Sequence, residues 1–210
     1  MDRIIIDNVK LMFGQRTLFE TGCINIATES IYPLLGLNGT GKSTFLKLIS
    51  GLLKPTVGNI TVNGTVLYQP QKPVIFHTSV LNNAIIGMKI PDRIKAHNIL
   101  VEVGLKDFIN VQAKNLSGGE QQRLCIARSI LTGGDILLLD EPFSAVDIKS
   151  AQLLELMLQN YCIRENKTMI VATHSIKTAE GISNQCILIR NDRLEICKIS
   201  EAKEYLINTL

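Results

Sequence analysis

Apolar and polar positions alternate through residues 3–11 and again through about Leu18 to Ile26, with Phe13-Gly14 between them, so the chain is expected to open on a β-hairpin. Ile31–Leu35 is a continuous apolar run, and Pro33 inside it, which cannot donate to a ladder, predicts a local irregularity. Phe45, Leu46 and Ile49 give residues 42–50 a helical face that stops at Gly51. Ile60–Val62 and Thr65–Leu67 flank Asn63-Gly64, a pair suited to a type I′ turn, and a second hairpin is expected there. From about Ser79 to Asn115 the period turns helical, with Ile94, Ile99, Leu100 and Val103 on one face before a stop at Gly104. Helix 120–132, strand 136–139, helix 147–164, strand 168–173, helix 175–182, strands 186–190 and 193–198 around Asn191-Asp192, and helix 201–208 follow. This alternation predicts an α/β chain.

Composition narrows the picture. At 210 residues, 46% hydrophobic and 20% charged, the chain suits one domain over 1–210 with a helical subdomain at about 79–118. A net charge of +3, without a dense Lys/Arg run or an aromatic platform, gives no case for nucleic acid as a partner. Cys23, Cys125, Cys162, Cys186 and Cys197 are scattered and lack C-x-x-C spacing, so they read as reduced core residues of a cytoplasmic protein. No apolar run is long enough to span a bilayer, and the N-terminus carries acids where a signal peptide carries an apolar stretch. The chain is expected to be soluble.

Candidate chemistry begins at Gly36–Thr44, GLNGTGKST, which fits G-x-x-x-x-G-K-[ST] with Gly36, Gly41, Lys42 and Ser43 in the fixed places. Glycines let the backbone of Asn38, Gly39, Thr40 and Gly41 curl into an anion nest, to which the helix starting near Lys42 adds the positive end of its dipole. Lys42 suits the β- and γ-phosphates of a nucleotide, and the Ser43 hydroxyl, beside Thr44, suits Mg²⁺. Asp140, ending an apolar strand, suits the metal shell, which leaves Glu141 free to orient or deprotonate an attacking water. A second anion site reads from Leu116–Gln122, LSGGEQQ: Ser117 offers a hydroxyl, Gly118 and Gly119 offer backbone N–H groups, and a helix begins at Glu120.

LSGGEQQ, with the phosphate loop and Leu139-Asp140-Glu141-Pro142, resembles the signature set of ATP-binding cassette (ABC) ATPases, most like the small importer subunits. The resemblance covers essentially the whole chain. It implies a phosphate-loop core of mostly parallel sheet with helices on both sides, a small antiparallel β subdomain and an inserted helical subdomain. It implies ATP and Mg²⁺ as cofactors, Phe13 as the aromatic that stacks on adenine, and Gln71 as the glutamine meeting Mg²⁺ and water, with Gln69 a nearby rival. Ser144–Asp147 resembles the family's D-loop, with Val146 where Leu is commoner, and His174 resembles the switch histidine on the γ-phosphate. Leu37 stands where the family often has Pro. The family also implies a head-to-tail homodimer in which Ser117 and Gly119 of one chain close on the other's nucleotide.

That closure is expected to drive membrane permease subunits gripped near Gln71 and the Val74–Asn83 loop, at the cytoplasmic face of the membrane, with a solute-binding protein acting indirectly. Three function classes follow from the resemblance. The first is the ATPase of an importer, with tungstate- or molybdate-like oxyanions or metal ions as cargo. The second is the ATPase of an exporter or lipoprotein-release system. The third is a non-transport ABC protein, which usually carries a coiled-coil insertion or a second cassette.

Overall fold

The computed structural model describes residues 2–209, and for Phe13 the backbone alone. β1 (Asp2–Phe13) turns back through β2 (Arg16–Thr21), and β3 (Ile24–Ala27) follows. The expected strand over Leu18–Ile26 is therefore two, broken at Gly22-Cys23. β1 is long enough to pair with β2 through its C-terminal half, from Lys10 on, and with β3 through Asp2–Ile6.

β4 (Ile31–Gly36) leads into α1 (Lys42–Ile49). Its strand runs unbroken through Pro33, contrary to the expected irregularity. The N–H groups of Met169 and Thr173 bond to Ser30 and Leu34 carbonyls, so even-numbered residues of β4 turn their backbone toward that neighbour. Pro33's missing N–H faces the other way, where the next ladder begins only at Leu34.

The expected Asn63-Gly64 hairpin is not formed. β5 (Val57–Val62) pairs antiparallel with β1, whereas β6 (Val66–Gln69) pairs parallel with β7 (Ile136–Asp140). A type I′ turn needs positive φ at both central residues; Gly64 has φ 133°, but Asn63 is not among the positive-φ residues. Tertiary bonds decide the path instead: Asn63 N–H donates to Arg3 O at 2.9 Å, and Thr65 N–H donates to Asp135 Oδ2 at 2.9 Å. The turn is thus a crossing from the antiparallel layer to the parallel sheet.

Between β6 and β7 the chain is helical: α2 (Val80–Ile85), α3 (Arg93–Glu102), two short 3₁₀ turns and α4 (Gly118–Thr132). Ile99, Leu100 and Val103 are buried as expected, joined by Ala96, but Ile94 is 78% exposed. At about 100° per residue, Ile94 sits roughly 140° around the helix from Ile99, off the shared face.

α5 (Ile148–Arg164), β8 (Thr168–Ala172), α6 (Ile176–Ile182), β9 (Gln185–Arg190), β10 (Arg193–Lys198) and α7 (Ile199–Thr209) complete the chain. Among the described residues ten strands form one sheet, in the order β3-β1-β2-β10-β9-β4-β8-β7-β6, with β5 on β1. The run β9-β4-β8-β7-β6 is parallel throughout. Period-two alternation splits its core: Leu137, Leu139, Met169 and Val171 pack toward α4 and α5, while Ile136, Leu138, Ile170 and Ala172 pack toward α1. Phe19 of the antiparallel layer meets Phe45 of α1 edge to face, with centroids 5.9 Å apart. Because the central strands are parallel, the residues after β4, β6, β7 and β8 emerge along one edge, where open α/β sheets hold ligands.

Candidate nucleotide site

The phosphate loop follows β4 with backbone shapes that side chains resist: φ is 80° at Gly39 and 100° at Gly41. A Cβ on Gly41 would lie 2.9 Å from Leu18 Cδ2, so β2 also presses against the loop. Thr40 Oγ1 donates to Leu37 O at 2.9 Å, which pins the curl from within. At the N-terminus of α1, Gly41 supplies no side-chain cap and the first turn holds no acid. Its N–H groups and dipole are left to an anion.

Lys42 is the cation inside this nest. It is 8% exposed, and Nζ donates to the Gly36 and Leu37 carbonyls at 2.8 and 3.1 Å. An ammonium has three donors, so one remains for a phosphate oxygen. Burial lowers its pKa, opposed by the nearby Glu141 and Asp140 carboxylates.

A cavity of about 340 Å³ joins Asn38, Gly39, Gly41, Lys42, Ser43 and Thr44 to Leu18, Gln71, Asp140 and Glu141. Gly36 and Thr40 shape the loop without lining that cavity. Gln69, the rival to Gln71, is buried and accepts from Ser129 Oγ at 2.8 Å, so it ties β6 to α4 instead. Ser43, Gln71 and Asp140 line this one cavity, and a hydroxyl, an amide and a carboxylate are the hard-oxygen chemistry suited to Mg²⁺, which takes few protein ligands beside phosphate. No cluster of three or more His, Cys, Asp or Glu side chains occurs among the described residues.

Asp140 ends β7 and is 3% exposed. Tyr68 donates to its Oδ2 at 3.3 Å, and burial together with the Asp140 charge pushes the Tyr68 phenol up to about 12. Glu141 follows at φ 47°, a left-handed conformation that non-glycine residues rarely hold. Its N–H donates to Ala172 O at 3.0 Å, and its Oε2 lies 3.0 Å from Nδ1 of His174. The carboxylate is largely covered while the imidazole is mostly exposed. Adjacent parallel strands thus bring the two together, one anchored inside and the other at the mouth. Phe13's side chain lies outside the described residues; its backbone pairs with Arg16 at the end of β1.

Ser117, Gly118 and Gly119 lie apart from this cavity, at the start of α4. Ser117 and Glu120 form a reciprocal capping box. Gly119 packs so closely on the loop after β7 that a Cβ would fall 2.7 Å from Ala145 O.

Two polar residues that sequence reasoning missed organise these loops. Gln122 is 3% exposed; it donates to Ser144 Oγ at 2.9 Å and accepts from Ala145 N–H at 2.8 Å, joining α4 to the Ser144–Asp147 loop. Asn83 is fully buried; its amide accepts from Phe76 N–H and donates to Phe76 O, both at 2.9 Å. Their signal was a polar residue inside an apolar helical face.

Fold and site together define a phosphate-loop α/β protein with a helical insertion between the β6 and β7 strands. The ABC transporter family model matches residues 23–144, and the chain belongs to that family. It is 30% identical over 203 residues to the aliphatic sulfonates import ATP-binding protein SsuB 1 of Burkholderia cenocepacia, covering 93% of this chain and 63% of that one. It is 31% identical over 210 residues to the sulfate/thiosulfate import ATP-binding protein CysA of Mycobacterium tuberculosis, covering 91% and 60%. The chain therefore spans a little under two thirds of these relatives' length. Among solved structures, a metal-chelate type ABC transporter in an inward-facing conformation superposes with a TM-score of 0.81 at 25% identity, over 96% of this chain and 85% of that one. No helix among the described residues is long and apolar enough to cross a membrane.

Proposed function

We propose that the chain is the ATP-hydrolysing subunit of an ABC importer. The observation that carries the reading is the single strand edge at which the nest around Lys42 shares one cavity with Ser43, Gln71, Asp140 and Glu141, while His174 holds the Glu141 carboxylate from beside that cavity. The loop and Lys42 bind and orient the triphosphate; Ser43, Gln71 and Asp140 would hold Mg²⁺, which would supply positive charge to offset that of the phosphates. Glu141 positions the water and draws its proton, while His174 holds that carboxylate in place and offers a donor toward the γ-phosphate. Phe13 stacks on adenine. Ser117, Gly118 and Gly119 act on the nucleotide of a second copy, so the working unit is a head-to-tail homodimer.

In this reading residues 1–210 act as one cassette with residues 79–118 as its helical arm. The arm and the loop after Gln71 grip membrane permease subunits at the cytoplasmic face, and a solute-binding protein delivers the cargo to them. The cargo class is a small oxyanion: two relatives are named for sulfonates and for sulfate or thiosulfate, and tungstate or molybdate share that chemistry.

The test is hydrolysis by the full chain with Mg²⁺ and ATP. Glu141→Gln keeps the size but removes the base, so turnover should fall by about two to four orders of magnitude while ATP still binds. Turnover that persists in the variant removes Glu141 from its role. Pull-down of the permease, then reconstitution with sulfate, taurine and molybdate in turn, reads the cargo.

A further inference from the structure

Five cysteines lie outside the nucleotide site; Cys23 is exposed, contrary to the expected core position, and two of the others meet. Cys186 on β9 and Cys197 on β10 are directly opposed in the antiparallel register, and their sulfurs stand 3.8 Å apart. Opposed residues of an antiparallel pair have Cα atoms about 4.5–5.5 Å apart, inside the window of about 4.4–6.8 Å that a disulfide spans. Side-chain rotation alone can bring the sulfurs to bonding distance. The other three thiols have different neighbours: Cys23 reaches Asp7 Oδ1 at 3.3 Å, Cys125 the Val74 carbonyl at 3.9 Å and Cys162 the Met169 sulfur at 3.9 Å.

We propose that Cys186 and Cys197 are an oxidisable dithiol, a modification site at which a low-molecular-weight disulfide is reduced while the pair closes into a cross-strand bridge. Cys197 is partly exposed and Cys186 is fully buried behind it, which sets the order of events. The Cys197 thiolate attacks one sulfur of the incoming disulfide, forming a mixed disulfide and releasing one thiol. Cys186 gives up its proton, attacks the Cys197 sulfur and displaces the second thiol. Two protein thiols lose two hydrogens and gain one S–S bond; the reagent's S–S bond becomes two thiols. Burial pushes both protein thiols up, so they rest protonated and the exchange is slow.

The pair sits in the cluster formed by Leu35, Ala179, Leu188, Ile199 and α7, away from the cavity lined by Lys42 and Asp140. Its chemistry therefore stands or falls independently of the nucleotide reading.

The experiment incubates the full chain, natively folded, with oxidised glutathione at mildly alkaline pH. After acid quenching and denaturation, free thiols are counted and non-reduced peptides are mapped. Cys125 and Cys162, both buried, should remain free whatever happens at the exposed Cys23, and one joined peptide should hold Cys186 and Cys197 with the mass of two hydrogens lost across it. Cys186→Ser should accumulate a glutathione adduct on Cys197, and Cys197→Ser should leave Cys186 unmodified. Five free thiols in the wild-type chain, a stable adduct on Cys197 beside a free Cys186, or a bridge to any other cysteine would overturn the proposal. The wild-type map decides even if either variant fails to fold.

Discussion

At the scale of single residues, the site is built from groups whose surroundings leave them little choice of partner. Lys42 is enclosed by the carbonyls of its own loop, so Lys42→Ala removes the only ammonium lining that cavity among the described residues. A hydrogen bond to a charged group is worth about 1.5–3 kcal/mol, and ATP affinity should fall at least ten- to a hundred-fold in a direct titration. Unchanged affinity would remove Lys42 from the phosphate site. Tyr68 gives a separate handle through pH. Its phenol titrates at about 12 in the folded chain against 10.0 unfolded, so the folded state holds the proton longer. That contribution is complete below about pH 10 and is lost as pH rises through about 12. Tyr68→Phe should therefore lose less stability between those limits in denaturant titrations. Tyr161, also pushed up to about 12 by burial, keeps part of the slope. Equal slopes for both chains would mean that Tyr68 is neither buried nor held against Asp140 in solution.

At the scale of elements, the sequence was most legible where local chemistry and tertiary demand agree. The phosphate loop, β7 with its terminal Asp140 and the long helices α4 and α5 were readable because period and motif coincide there. Asn63-Gly64 misled because bonds to Arg3 and Asp135, distant in sequence, outweigh a local turn preference. Gln122 and Asn83 stand out in sequence only as polar residues on apolar faces, and their roles were not legible for a related reason: a buried amide has meaning only through the distant partners it reaches. Asn83 illustrates the consequence. It clamps Phe76 from both sides, while Arg128 donates to Val74 O at 2.7 Å and lies 5.4 Å from the centre of the Phe76 ring. The loop after Gln71 is thus held to α2 and α4. Asn83→Leu leaves the Phe76 N–H without a partner and takes one of two donors from the Phe76 carbonyl, which keeps the Thr78 N–H at 2.8 Å, at a cost of about 1–3 kcal/mol. The melting temperature should drop by several degrees, and limited proteolysis should cut first between Gln71 and Ser79. Cleavage elsewhere, with that loop intact, would show that Arg128 alone suffices.

At the scale of the whole molecule, one chain holds a phosphate nest and, at a separate place, the start of α4, which its own cavity does not use. On the proposed closure these complete each other across two copies. The geometry at α4 makes that testable, because Ser117 is exposed and its role inside the chain is limited to capping. Ser117→Arg costs about 0.5–2 kcal/mol through the lost cap, an amount a stable chain survives, but places a long cation where the partner's nucleotide must dock. In a Glu141→Gln background, which binds ATP without consuming it, the chain should run as a dimer on size exclusion with ATP and without Mg²⁺. The chain that also carries Ser117→Arg should run as a monomer while still holding ATP. Two monomers, each with bound ATP, would assign the scaffold for closure to the permease. Two identical ATP-dependent dimers would place Ser117 outside the interface and break the link between α4 and the second nucleotide.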